Sequence, residues 1–261
     1  MLGKLIKHET NATGRLFLPM YFIILVLSLL NRILTSIDIY SDTLNIVLGF
    51  SIAAYVISII ATIVVTFVIM IIRFYKNLMS DEGYLMFTLP VKSSQLINSK
   101  LIVSLLWNIV SVLVVMVSLL IFFGSSESMR FVNEIIDKTI TMLKLNFGSK
   151  YILIIVEFMI MILISMFQQI LLIYVSIAIG HLFNGHKVLG SFLSYIGINV
   201  IAQIIVTLIL VVWASLAGTS FAELEAIPQL VFPFSIAIAT IFCGVFYFVT
   251  NYIFKRKLNL E

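Results

Sequence analysis

Two acids and four large apolar side chains crowd one short stretch, Ser80-Asp81-Glu82-Gly83-Tyr84-Leu85-Met86-Phe87. Ser80 suits the N-cap of a helix, and Asp81 and Glu82 then sit at the positive end of its dipole. Over the next turn Tyr84, Leu85 and Phe87 would project apolar surface. This is recognition chemistry, a helix made to dock into a groove on a soluble partner. A helix resting on an anionic inner leaflet would carry Lys or Arg where the acids stand. Thr88-Leu89-Pro90-Val91 stops the helix, because proline disfavours helical geometry in the residue before it. Ser93 or Ser94 restarts a helix that continues through Lys100.

A second candidate is a carboxylate inside an apolar run. Glu157 stands seven residues beyond Lys150, roughly 10 Å along a helix. An ionisable group at mid-depth in a bilayer costs on the order of 2.5–3.5 kcal/mol on insertion scales and usually faces protein or water. Gln168 falls about 20° from Glu157 around the helix, with Ser165, Gln169 and Ser176 toward the same side. Other apolar runs carry comparable stripes: Ser51, Tyr55, Ser58, Thr62 and Thr66; Ser104, Asn108, Ser111 and Ser118; Tyr195, Asn199, Gln203 and Thr207. Two readings fit Glu157, Gln168, Tyr55, Thr62, Asn199 and Gln203. They line a pathway, with Glu157 as a titrating group, or they hydrogen-bond one helix to the next. Stripes on nearly every run weigh toward helix packing.

Other chemistries lack their parts. Gly180-His-Leu-Phe-Asn-Gly185-His186-Lys187 departs from a phosphate-binding loop, since a histidine separates glycine from lysine and a valine follows it. His181 and His186 have no third ligand nearby and read as solvated loop residues rather than a metal site. Cys243 is the single cysteine, which excludes a disulfide framework and suggests a small packing residue. Asn11-Ala12-Thr13 is a chance sequon. No catalytic constellation is visible, so the chain reads as non-enzymatic, with no cofactor of its own.

The elements that must position these groups are membrane helices. Of 261 residues, 62% are hydrophobic and only 11% charged, against about 45–50% and about 25% in soluble domains. A span needs about 20 mostly apolar residues. Six fit, at about 16–37, 44–72, 101–123, 151–179, 189–217 and 229–254. The fold class is therefore all-α and polytopic, a single transmembrane domain over residues 1–261. Residues 73–100 form one long loop, and no cleavage site follows the first run, which is expected to stay as a span. With the N-terminus inside, Lys4, Lys7, Arg15, Arg73, Lys76, Lys92, Lys100, Lys187, Lys255, Arg256 and Lys257 face the cytoplasm, and Arg32, Arg130, Lys138, Lys144 and Lys150 lie outside. This bias puts both termini in the cytoplasm and accounts for the net charge of +4 without nucleic acid. Residues 2–15 read as a short interfacial helix broken near Gly14 and Pro19, and about 126–147 as an external amphipathic helix.

Six spans with an opening interfacial helix, and the order Glu82-Gly83-Tyr84-Leu85, Leu89-Pro90-Val91, Ser93-Ser94-Gln95 and Lys100, resemble the permease subunits of type-2 ATP-binding-cassette transporters. The resemblance covers the whole topology, and its motif about 25 residues of the loop between spans two and three. It implies that the helix around Ser80–Phe87 is the coupling helix, docking separate ATPase subunits that hold ATP and Mg. It also implies a second permease subunit, of the same or a homologous chain, and spans two and five along the pathway. The short 218–228 connection leaves little room for the re-entrant helices some relatives carry there. The expected function is the membrane subunit of an ATP-driven exporter for a hydrophobic or amphipathic substrate, including peptides, in a bacterial plasma membrane. The alternative is a proton-coupled secondary transporter using Glu157, which predicts paired broken helices; no matching Gly/Pro interruptions occur.

Overall fold

The computed structural model describes residues 2–36, 42–79, 83, 91–124, 126–183, 185–217 and 228–256. Among these, the regular structure is helical: α1 (Leu2–Thr35), α2 (Asp42–Met79), α3 (Ser93–Phe122), α4 (Ser126–Phe147), a 3-10 turn (Gly148–Lys150), α5 (Tyr151–Gly180), α6 (Lys187–Ala217) and α7 (Pro228–Arg256). Six stretches, lying in α1, α2, α3, α4–α5, α6 and α7, are long and apolar enough to cross a membrane. Large apolar side chains stand exposed along all of them, for example Phe22, Phe50, Leu113, Phe192 and Phe248. Lipid can cover such surface and water cannot without cost. The chain is a multi-pass membrane protein.

The chain divides into two compact units, Met1–Met70 with Ile102–Asn146, and Ile71–Leu101 with Phe147–Glu261. In the first, Phe17 and Tyr21 of α1, Met70 of α2, and Val103 and Trp107 of α3 form a buried cluster. Hydroxyls stitch its helices together. Tyr21 Oη and Thr66 Oγ1 both meet Ser111 Oγ, at 2.7 and 2.8 Å, and Trp107 Nε1 donates to Thr13 Oγ1 at 2.7 Å. Asn31 Nδ2 donates to the Ser51 carbonyl at 3.2 Å.

The N-terminal expectation needs correction. Residues 2–35 form one continuous helix with Pro19 inside it, so residues 2–15 are not a separate interfacial element. Glycine costs about 1 kcal/mol in a helix interior and proline more, but tertiary packing overrides both here. Trp107 lies 3.5 Å from where a Gly14 side chain would begin, and its ring packs on Phe17 with centroids 4.8 Å apart. α4 is amphipathic, with Phe131 and Ile135 on one exposed edge, while Met142 lines a surface groove with Glu134 and Lys138, which pair at 2.7 Å. Gly148 follows it at φ 54, the left-handed region that glycine enters freely.

In the second unit α5 is central, packing along both α6 and α7. Every residue from Ile170 to Ala178 is buried, so this stretch of the helix is enclosed on all sides. The α5–α6 turn is equally tight. A Cβ on Gly180 would overlap Ser191 Oγ, N and Cα, and one on Gly190 would lie 3.0 Å from the Gly180 carbonyl. Gly197, by contrast, has open space where a Cβ would go.

Gly180→Ala should therefore lower stability by about 1–3 kcal/mol, as overpacking does, read as a fall in the thermal midpoint in detergent. Gly197→Ala, which meets nothing, should leave that midpoint unchanged or slightly raised. Equal effects of the two would contradict the packing described.

Candidate functional site

The helices flanking the acidic segment run further than charge-free runs predict. α2 continues to Met79, beyond the end at about residue 72 expected for span two, while α3 begins at Ser93, the expected helix restart. The reason lies in the second unit. Phe74 and Leu78, one helical turn apart, are buried, as are Leu96, Ile97 and Leu101 of α3. Phe74 stacks on Tyr174 of α5 with centroids 3.6 Å apart and meets Phe254 of α7 edge-on at 6.0 Å. Packing thus carries both helices past the basic residues that mark the membrane edge.

A polar clasp joins the two flanking helices. With its amide oxygen turned toward α3, Asn77 accepts a hydrogen bond from Lys100 Nζ at 2.8 Å and donates to the Arg73 carbonyl at 3.2 Å. Lys100 is 5% exposed, so this bond matters to a desolvated ammonium. Sequence reading marked Lys100 but not Asn77, whose polarity near a span end looked ordinary.

Ser80, Asp81, Glu82, Tyr84, Leu85 and Phe87, six of the seven proposed docking residues, lie outside the described residues. Gly83, the seventh, is helical and buried. A Cβ there would sit 2.8 Å from the Leu78 carbonyl oxygen and 2.9 Å from its carbon. The expected acid–glycine pair therefore has a steric reason at its glycine.

His181 departs from its expected solvated state, whereas His186 is exposed. The His181 Nδ1 lies 3.0 Å from the Ile177 carbonyl, and the ring packs tilted on Tyr75 at 5.2 Å. Burial lowers its pKa, the Lys187 charge lowers it further, and the Ile177 and Met79 carbonyls pull the other way.

The polar residues of the spans separate into two groups. Tyr55 and Thr62 are buried in the first unit, where Tyr55 Oη meets Ser118 Oγ at 3.0 Å and Thr62 Oγ1 donates to the Ser58 carbonyl at 2.7 Å. Gln168, Asn199 and Gln203 come together in the second unit and line one groove of about 380 Å³ with Thr207 and Phe242. Asn199 donates to its own Tyr195 carbonyl at 3.0 Å, and Gln203 is exposed. Glu157 is not among the groove residues; its Oε2 is buried with no hydrogen-bond partner. Beside the groove is an apolar chamber walled by Trp213, Phe234 and Phe242. Sequence reading missed the chamber, because aromatic residues in an apolar run carry no distinguishing signal.

Two outcomes follow. Gly83→Ala should force the Gly83 backbone away from Leu78 and lower the thermal midpoint in detergent, and Gly83→Ser should do so at least as strongly. For His181, the unfolded chain takes up a proton first as pH falls through about 6.5, because the folded pKa is lower. Stability should be unaffected by this group above that pH, fall below it, and level off beneath the folded pKa. His181→Gln should remove that part of the pH dependence in detergent unfolding.

In comparisons with protein-family models, curated proteins and solved structures, nothing matches the chain.

Proposed function

We propose that this chain is the membrane-spanning subunit of an ATP-driven exporter. Partner ATPase subunits, carrying ATP and Mg, dock on the segment around Ser80–Phe87, and a second permease subunit completes the assembly. One observation carries this reading. Of the helices that flank the acid-and-apolar segment, α2 stacks Phe74 on Tyr174 in the enclosed stretch of α5, and the Asn77–Lys100 clasp ties α3 to α2. A push on the segment reaches a helix whose preceding stretch carries Gln168. A plain connecting loop needs no such base. The excess of Lys and Arg on the assigned inner side supports cytoplasmic termini, and hence a cytoplasmic docking segment. High Ile usage, with Lys outnumbering Arg, fits an AT-rich bacterial genome.

A second reading has its own observation. The buried, unpartnered Oε2 of Glu157 suits a carboxyl that exchanges protons during transport without an ATPase.

The Asp81→Lys, Glu82→Lys variant separates them. Under the first reading the ATPase subunit no longer co-purifies in mild detergent, and coupled ATP hydrolysis falls at least about tenfold, as expected for reversed interface charges. Coupling that survives the reversal would overturn it. Under the second, Glu157→Gln abolishes pH-gradient-driven transport in vesicles that lack any ATPase.

A further inference from the structure

The chamber and the groove of the second unit are two parts of one site. The chamber, about 310 Å³, lies among α5, α6 and α7. Its walls include Ile164, Leu210, Ile238 and the Trp213–Phe234 stack, whose centroids are 4.9 Å apart. It adjoins the groove through Gln168, Val206 and Phe242, which line both. Its volume is about twice that of an apolar cavity known to take benzene and reaches the lower range of ligand pockets.

The chemistry of the two parts differs in one respect only. The chamber is mainly aliphatic and aromatic, with Ser165, Gln168 and Ser235 as its polar residues, while the groove gathers the amides of Gln168, Asn199 and Gln203 and the Thr207 hydroxyl. Among the described residues, neither part is lined by an ionisable side chain. An anionic or cationic group brought there would lose its hydration with no counter-charge. A hydroxyl, ester or amide would find both donors and acceptors.

Depth adds selectivity. Gln168 lies near the middle of α5, and Asn199 and Gln203 near the middle of α6, whereas Trp213 stands close to the end of α6. The amides are therefore at mid-bilayer depth. A resident lipid keeps its head at the interface, so it can lend the chamber a tail but gives the amides nothing. A ligand that fills both parts carries its polar group into the membrane interior.

We infer that α5, α6 and α7 form a binding site for a single-tailed amphiphile with an uncharged hydroxyl, ester or amide head. The tail enters the Trp213–Phe234 chamber, and the head is held by Gln168, Asn199 and Gln203. As the substrate class of the exporter this rests on the transport reading; as a binding site it does not.

The chain's two tryptophans provide the test, since Trp107 belongs to the first unit and Trp213 to the chamber. In Trp107→Phe, reconstituted in bilayers, a monoacylglycerol with a brominated chain should quench Trp213 saturably. A brominated fatty acid held ionised, with the same chain, should bind at least about tenfold more weakly. Gln168→Leu with Gln203→Leu should weaken monoacylglycerol binding roughly two- to tenfold for each hydrogen bond lost and leave the fatty acid unaffected. Should Trp107→Phe fail to fold, the difference in quenching between wild type and Trp213→Phe gives the same quantity. Quenching that rises with bulk bromolipid without saturating, or that is equal for neutral and ionised heads, would overturn the site. No ATPase takes part, so binding can fail while partner capture stands, and the reverse.

Discussion

The buried stretch of α5 is the constraint on which the second unit depends. A helix in lipid ordinarily needs only one face covered, yet Ile170 through Ala178 are all enclosed. Enclosure on every side requires neighbours on every side: α6 and α7 pack along the helix, and α2 adds the Phe74 ring against Tyr174, with Phe254 of α7 edge-on to Phe74. The Phe74–Tyr174 stack is the closest of these contacts between rings, and aromatic pairing contributes about 0.5–1.5 kcal/mol beyond area burial. Removing the hydrophobic effect from the bilayer core leaves such packing as the main force between helices. Where packing is complete, the helix is fixed.

The preceding stretch of α5 is held differently. From Tyr151 to Gln169 only Ile154 is buried, and the groove and chamber open along this stretch. α6 shows the same looseness, since its most apolar stretch has no buried residue. One continuous helix is thus clamped where Tyr174 meets Phe74 and loosely packed near the polar groove. Stability is not uniform along a chain, and segments with few buried contacts are those that move at least cost.

Span number was legible from sequence because bilayer thickness imposes a minimum apolar length that few soluble segments reach. Span ends were not. Arg73 and Lys76 looked like the close of span two, but Phe74 and Leu78 keep the helix packed to Met79. Gly14 and Pro19 looked like breaks, but Trp107 and Phe17 stabilise the helix across them. Charge and propensity are local signals, and both were overruled by contacts between residues far apart in the chain. The polar stripes show the same limit. Their four-residue spacing was plain, yet whether a stripe is glue or lining depends on what another helix offers opposite it. Ser111 and Ser118 stand opposite Thr66 and Tyr55, whereas Gln168, Asn199 and Gln203 share an open groove.

That contrast bears on where a conformational change would be tolerated. A hydroxyl bonded to its own helix and to a neighbour, like that of Thr66, fixes the neighbour at hydrogen-bond distance. Separating the two would leave polar atoms unsatisfied in hydrocarbon, a cost of several kcal/mol per group if no partner replaces them. Amides that line a groove impose no such register on the helix opposite. Their hydrogen bonds can be made to a ligand, to water or to another helix in turn, so the arrangement can alternate without an intermediate in which they are bare. Of the polar stripes, the one shared by α5 and α6 meets that condition. Any mechanism that exposes a polar path through this chain costs least there.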